Sequence, residues 1–203
     1  MTPFETLTSR AIPLLRDNID TDAIIPSREM RSVSKTGLED GLFANWRYSD
    51  VDARVPNPEF VLNDPQYAEA SILLCGANMG CGSSREHAAW ALYEYGIRAI
   101  VAEQFNPIFF GNCYRNGILP VTLPAGPWAD VDGELTVDLE SCRISGGNRE
   151  ESFTLPAEAR KMLLEGLDPI DLTLIDSALI ADFEARNRQR RPWTYLGTDE
   201  RNG

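Results

Sequence analysis

The chain has 203 residues, 43% hydrophobic and 25% charged, enough apolar content to bury a sizeable core. It carries 31 acids against 19 bases and a single histidine, a formal net charge of −12, which disfavours nucleic acid or an anionic membrane as a partner. No apolar run is long enough for a membrane helix, and Met1–Arg10 lacks the basic-then-apolar pattern of a secretory signal, so a cytoplasmic location with reduced cysteines is expected.

Taken in chain order, Phe4–Leu15 alternates like a strand and Asp17–Asp22 is a carboxylate-rich turn. Ala23–Pro26 leads into a charged stretch from Ser27 to Lys35, and Leu38–Trp46 reads as a short helix. Pro56, Pro58 and Pro65 mark irregular chain. The centre is the most regular part. Ser71–Cys75 reads as a strand, Ser84–Tyr95 as a helix stopped by Gly96, and Ile97–Ala102 as a second strand. Asn106-Pro107 opens a helix that ends near Gly117, and Ile118–Leu123 is a third strand. This order predicts an α/β fold with a parallel βαβαβ core, whose ligand side is the carboxyl end of the strands. Leu135–Leu139 and Cys142–Ser145 suggest a hairpin, Ala157–Glu165 a helix stopped by Gly166, and Ala178 to about Arg188 a last helix. Residues 1–203 are expected to form a single domain with a C-terminal tail from Arg186 to Gly203, either solvated or docked on a partner subunit.

The chemistry concentrates between the first central strand and its helix, in Gly80-Cys81-Gly82-Ser83-Ser84-Arg85-Glu86-His87. Glycines let the backbone turn sharply and approach a ligand closely. Ser83 and Glu86 have capping-box spacing, so one reading is a plain helix start. The other is an anion site, in which backbone N–H groups and Arg85 hold a carboxylate and Ser83 loses its proton easily enough to act as a base. The nearby Asp20-Thr21-Asp22 turn reads either as turn chemistry or as a support that orients Arg85. Competing motifs are incomplete. Gly80-Cys81-Gly82 lacks the third glycine of a dinucleotide fingerprint, and the Gly-Lys-Ser/Thr of a P-loop is absent. His87 alone cannot complete a multi-histidine metal site, and it is poorly placed to serve Ser83 as a hydrolase base. Cys75, Cys81, Cys113 and Cys142 lack close cluster spacing, so no metal is expected on this chain.

The run Gly80–Ala88 resembles the signature of the aconitase superfamily's swivel domain, in the stand-alone form found in the isopropylmalate isomerase small-subunit family. The resemblance extends over Asp20–Pro26, Thr36–Leu38, Leu42–Arg47, Asn57–Asn63, Trp90–Leu92, Gly111-Asn112, Gly117–Val121, Gly166–Ile170 and Leu172–Leu174. It implies a swivelling β/β/α domain that is half of an enzyme. The other half, a large subunit, would carry a [4Fe–4S] cluster, and this chain would bind no cofactor. The implied reaction is the dehydration and rehydration that interconverts 2-isopropylmalate and 3-isopropylmalate in leucine biosynthesis. The substrate is thus a small dicarboxylic hydroxy acid. Under this resemblance Ser83 is the catalytic base, Ser84 and Arg85 bind substrate carboxylate, and Asp20, Thr21 and Asp22 support them. Arg28, Glu29, Met30 and Arg31 form the specificity loop, where Met30 would pack on the isopropyl group and Glu29 departs from the aromatic residue usual in archaeal relatives. Related hydro-lyases acting on citramalate, dimethylmaleate or homoaconitate are the alternative, followed by a non-catalytic carboxylate-binding module. Without a partner surface, Arg28–Lys35 is expected to be mobile.

Overall fold

The structure, a computed structural model, describes residues 1–30 and 34–195. The chain divides into two compact units, Met1–Leu167 and the segment from Asp168 onward.

The first unit opens with two short strands, β1 (Thr6–Ser9) and β2 (Ala11–Leu14), where the alternation alone suggests one. They belong to different sheets. The switch falls at Arg10, beside the buried Ser9, whose hydroxyl accepts the Ser71 N–H at 2.8 Å and donates to the Arg10 carbonyl at 2.9 Å. Period-2 patterning identifies a strand but not its partner, so the crossover is invisible in the sequence. A single turn, α1 (Thr21–Ile24), follows, then 3-10 turns at Ser27–Glu29 and Glu39–Gly41. The expected helix over Leu38–Trp46 is broken at Phe43. This fully buried residue has φ +49° and donates its N–H to the Ile24 carbonyl at 2.7 Å, so only α2 (Ala44–Arg47) remains helical. Core burial of the ring overrides local helix propensity there.

A small antiparallel pair, β3 (Tyr48–Asp50) and β4 (Val55–Pro56), precedes the central strand β5 (Ile72–Cys75). The helix α3 (His87–Tyr95), strand β6 (Ala99–Ala102), helix α4 (Pro107–Arg115) and strand β7 (Leu119–Thr122) then alternate as the sequence predicts. Gly96 at φ +115° closes α3, and the Asn106 side chain caps α4 by accepting the Ile108 N–H at 3.0 Å. The parallel sheet runs β2-β5-β6-β7, one strand wider than the βαβαβ core expected. A short helix, α5 (Gly126–Ala129), leads to β8 (Leu135–Asp138), β9 (Arg143–Gly146) and β10 (Arg149–Ser152). With β1 these form an antiparallel sheet in the order β1-β8-β9-β10, which adds two strands to the expected hairpin. Helix α6 (Ala157–Glu165), stopped by Gly166 at φ +67°, completes the unit.

Strands β5 and β6 are buried at every position, as parallel strands covered on both faces must be. Successive side chains serve opposite layers. Leu73, Cys75, Ile100 and Ala102 face a core that includes Ala88, Ala91 and Leu92 of α3 and Phe109 and Cys113 of α4. Ile72, Leu74, Ala99 and Val101 face one that includes Leu135, Val137 and Ile144 of the antiparallel sheet. The result is a β/β/α layering, antiparallel sheet on parallel sheet on helices. Ala88 and Ala91 of α3 are fully buried in the core on the helix side of the sheet.

The second unit consists of α7 (Pro169–Leu174), α8 (Ser177–Arg190) and a 3-10 turn at Pro192–Tyr195. Asp168 and Asp171 form a capping box at the start of α7, a helix not expected from the sequence. Asn187 Nδ2 donates to the Tyr195 hydroxyl at 2.9 Å, folding the end of the unit back on α8. The rest of the tail, residues 196–203, lies outside the described residues.

Candidate active site

The site is built where the parallel strands end. Beyond β2 and β5 the chain keeps pairing in loop form: Asn18 N–H donates to Ala77 O at 2.9 Å, Gly80 N–H to Ile19 O at 2.7 Å, and Thr21 N–H to Cys81 O at 2.9 Å. On the other side Met79 N–H donates to Gln104 O at 2.8 Å, and Asn106 N–H to Met79 O at 2.9 Å. The loop after β5 is therefore laced to the loops after both neighbouring strands. Gly80 and Gly82, at φ +75° and +93°, make the two reversals this path needs.

The lacing delivers the Asp20–Asp22 turn to the Ser83–Arg85 turn, across more than 60 residues of sequence. Ser83 N–H donates to Thr21 Oγ1 at 3.1 Å, and the two hydroxyl oxygens lie 3.2 Å apart. Arg85 Nη1 is ion-paired with Asp22 Oδ1. Asp20 turns the other way and caps α1, accepting the Ala23 N–H at 2.6 Å. Thr21 is buried, whereas Ser83, Ser84 and Asp22 are exposed and Arg85 is half-buried. The Ser84 hydroxyl has no hydrogen-bond partner among the described residues. The cluster is thus an exposed pair of hydroxyls beside a guanidinium that Asp22 fixes by one edge. This donor set suits a carboxylate, since a guanidinium with free N–H groups can bind both carboxylate oxygens.

The expected capping box is not formed. Helix α3 begins at His87, not at Ser84, and its flanking residue Glu86 makes no side-chain cap. Instead Glu86 Oε1 accepts Asn116 Nδ2 at 2.8 Å, while Asn116 Oδ1 accepts Trp90 Nε1 at 3.0 Å. The Ser83–Arg85 turn is consequently loop rather than helix, which leaves its hydroxyls facing solvent. His87 packs its ring against Trp90 with centroids 4.6 Å apart, so its immediate neighbour is an aromatic ring and not the serine. Asn116 gave no sequence signal, because its partners come from α3, far along the chain.

The specificity-loop residues are placed differently from the serine turn. Glu29 is buried, with Arg54 Nη2 donating to its Oε2 at 2.5 Å and Arg28 Nε 3.6 Å from Oε1. The hydrogen bond that Arg54 donates to Glu29 is the main cause that holds its guanidinium above its ordinary pKa. Arg28 Nη2 also donates to Asn45 Oδ1 at 2.7 Å, and Met30 packs on the larger core. On the far side of the loop, Glu94 accepts the N–H groups of Gly37 and Leu38, each at 2.6 Å. Both flanks of the expected mobile stretch are therefore tied down by groups that carry no signal in the sequence. Arg31, the last specificity-loop residue, lies with 32 and 33 outside the described residues. Replacing Glu29 by Gln is expected to destabilise the fold by about 1–3 kcal/mol, less than a fully buried pair because Arg54 is one-third exposed. Urea midpoints of the two single variants and the double variant with Arg54→Met check this; additive effects would contradict it.

The four cysteines do not form one group: Cys75 and Cys113 share the helix-side core, apart from the other two. Cys75 and Cys113 are fully buried, and burial pushes both thiols up, whereas Cys81 lies in the glycine loop and Cys142 beyond β8. Among the described residues no three His, Cys, Asp or Glu side chains are arranged to hold a metal ion.

Comparison with known proteins identifies the family. The family model for the aconitase C-terminal domain matches residues 1–126, and that for the C-terminal domain of the 3-isopropylmalate dehydratase small subunit matches residues 170–195. The chain is 54% identical to a 3-isopropylmalate dehydratase small subunit of Cupriavidus necator, over 97% of this chain and 99% of that protein. It is 48% identical to the same-named protein of Shewanella amazonensis, over 92% and 97%. The crystal structure of a 3-isopropylmalate dehydratase from Methanocaldococcus jannaschii superposes with a TM-score of 0.64 at 26% identity, covering 88% of this chain and 99% of that one. With both family models matched and the β/β/α layering in common, the chain belongs to the family of 3-isopropylmalate dehydratase small subunits, built on the aconitase C-terminal domain.

Proposed function

We propose that this chain is the small subunit of a hydro-lyase that interconverts 2-isopropylmalate and 3-isopropylmalate, acting in leucine biosynthesis with a large subunit. The observation that carries the proposal is the juxtaposition of Ser83 with Thr21 and of Arg85 with Asp22 at the carboxyl edge of the parallel sheet. Arg85 and Ser84 hold a substrate carboxylate, and Asp22 keeps the guanidinium in register. Ser83 Oγ, entering as the alkoxide, takes the proton from carbon in the dehydration and returns it in the rehydration. The [4Fe–4S] group that the aconitase resemblance implies is assigned to the large subunit, together with departure and return of the hydroxyl. Arg28, Glu29, Met30 and Arg31 are proposed to shape the pocket for the branched alkyl group, Glu29 from beneath as the anchor held by Arg54. The reaction would proceed in the cytoplasm; no helix among the described residues is long and apolar enough to cross a membrane.

The experiment is anaerobic reconstitution with the cognate large subunit, followed by turnover of 2-isopropylmalate, citramalate and dimethylmaleate. Preferred turnover of 2-isopropylmalate is expected, with none by this chain alone. Preference for another acid would overturn the substrate, and no turnover of any would overturn the catalytic reading.

A further inference from the structure

We propose that Thr21 is the positioning residue for the catalytic base, donating its hydroxyl hydrogen to Ser83 Oγ when that oxygen is charged. The inference rests on the reading of Ser83 as base and adds to it what makes that base usable.

The geometry determines how Thr21 spends its hydrogen bonds. A threonine hydroxyl has one hydrogen to give and two lone pairs to accept with. Thr21 Oγ1 already accepts the Ser83 N–H at 3.1 Å. Its own hydrogen remains, and the Ser83 hydroxyl oxygen is 3.2 Å away. While Ser83 is neutral either oxygen can donate. Once Ser83 Oγ is an alkoxide it has no hydrogen, so Thr21 must be the donor. A hydrogen bond made to the charged form favours that form, and here its donor is 1% exposed, where water competes poorly. The separation is long for a hydroxyl pair, and such contacts commonly tighten only in the substrate complex.

Thr21 is also unusually well fixed. Its N–H donates to Cys81 O at 2.9 Å, its carbonyl accepts Ile25 N–H at 3.0 Å, and its β-branched side chain has few rotamers. A Cβ at Gly82 would stand 3.3 Å from Thr21 Oγ1, on a residue with φ +93°. The bare glycine thus lets the two turns close on each other. One backbone N–H and one side-chain oxygen of Ser83 are held by a single buried atom, which fixes the direction in which the base points.

The test uses the reconstituted two-subunit enzyme with 2-isopropylmalate, unlabelled or deuterated at the carbon that gives up its proton. Thr21→Val keeps the branched shape and removes the hydroxyl; Thr21→Ser keeps the hydroxyl. Thr21→Val is expected to lower kcat about 10- to 100-fold with KM changed less than about threefold, and to raise the deuterium isotope effect on kcat because proton abstraction becomes slower. Thr21→Ser is expected to restore most of kcat and the original isotope effect. Thr21→Cys, with a thiol that donates weakly, is the second variant should the valine fail to assemble, and is expected to raise the isotope effect likewise. Unchanged kcat and isotope effect in the variant lacking the hydroxyl, or failure of serine to restore them, would overturn the role of Thr21. Retained turnover by Ser83→Ala would instead overturn the base assignment beneath it.

Discussion

Ser83→Ala is expected to assemble normally with the large subunit and to lose about 10²- to 10⁴-fold in kcat, the range that a positioned proton-transfer group contributes. The structure explains why the loss should be confined to chemistry. The hydroxyl is exposed and fills no core space, and the Ser83 N–H that pairs with Thr21 is untouched by the substitution. Surface changes of this kind usually alter stability by no more than about 0.5 kcal/mol. Arg85 keeps its ion pair with Asp22, so the carboxylate grip survives and KM should move little. Steady-state kinetics of the reconstituted variant, together with its melting curve and its elution with the large subunit, separate the two effects. Wild-type-like turnover in a fully assembled enzyme would exclude Ser83 as the base. A loss of assembly would show that the turn serves structure first.

How much of this was legible in the sequence depended on how far each interaction reaches. The helices α4 and α6 and the stops at Gly96 and Gly166 are local, because Asn106-Pro107 and the glycines act on their own neighbours, and all of them stand where the sequence placed them. The parallel core was legible as well, since fully apolar strands between helices leave few other arrangements. What the sequence hid was set by remote partners. The Phe4–Leu15 strand divides because Ser9 meets Ser71, and the Leu38–Trp46 helix breaks because Phe43 bonds to Ile24. The same holds within the site. Ser83-x-x-Glu86 is a valid capping box by local rules, yet Asn116 takes the Glu86 carboxylate and the helix starts later. The burial of Glu29 was hidden as well, because its partner Arg54 lies 25 residues further on. The pairing of the Asp20–Asp22 turn with the serine turn was anticipated only in outline. Its detail, that Thr21 rather than either aspartate touches Ser83, follows from the register in which the loops continue the β2–β5 ladder.

That register makes Gly80 the most sensitive backbone position in the site, and Gly80→Ala is expected to cost about 2–5 kcal/mol of stability. Two separate effects combine. An L-residue at φ +75° carries about 1–2 kcal/mol of backbone strain. In addition, the new Cβ would overlap the ring and Cβ of Phe109, a nearly fully buried residue of α4, and overpacking of this kind costs about 1–3 kcal/mol. Gly37 provides the control: its φ is +84° but a Cβ there meets nothing within 4 Å, so Gly37→Ala should show the backbone strain alone. For a chain of this size the difference is several degrees in melting temperature, readable by calorimetry. The consequence reaches the chemistry, because Gly80 N–H is bonded to Ile19 O and the next residues carry Cys81, Gly82 and Ser83. Any shift that relieves the clash with Phe109 loosens the contact between Thr21 and Ser83, and a displacement of about 1 Å can cost ~10²-fold in rate. Gly80→Ala should therefore lose turnover even at temperatures where it is fully folded and assembled, whereas Gly37→Ala should not. Equal melting temperatures for the two variants would show that Phe109 yields and that the tight approach of the loop to α4 is not what fixes the serine.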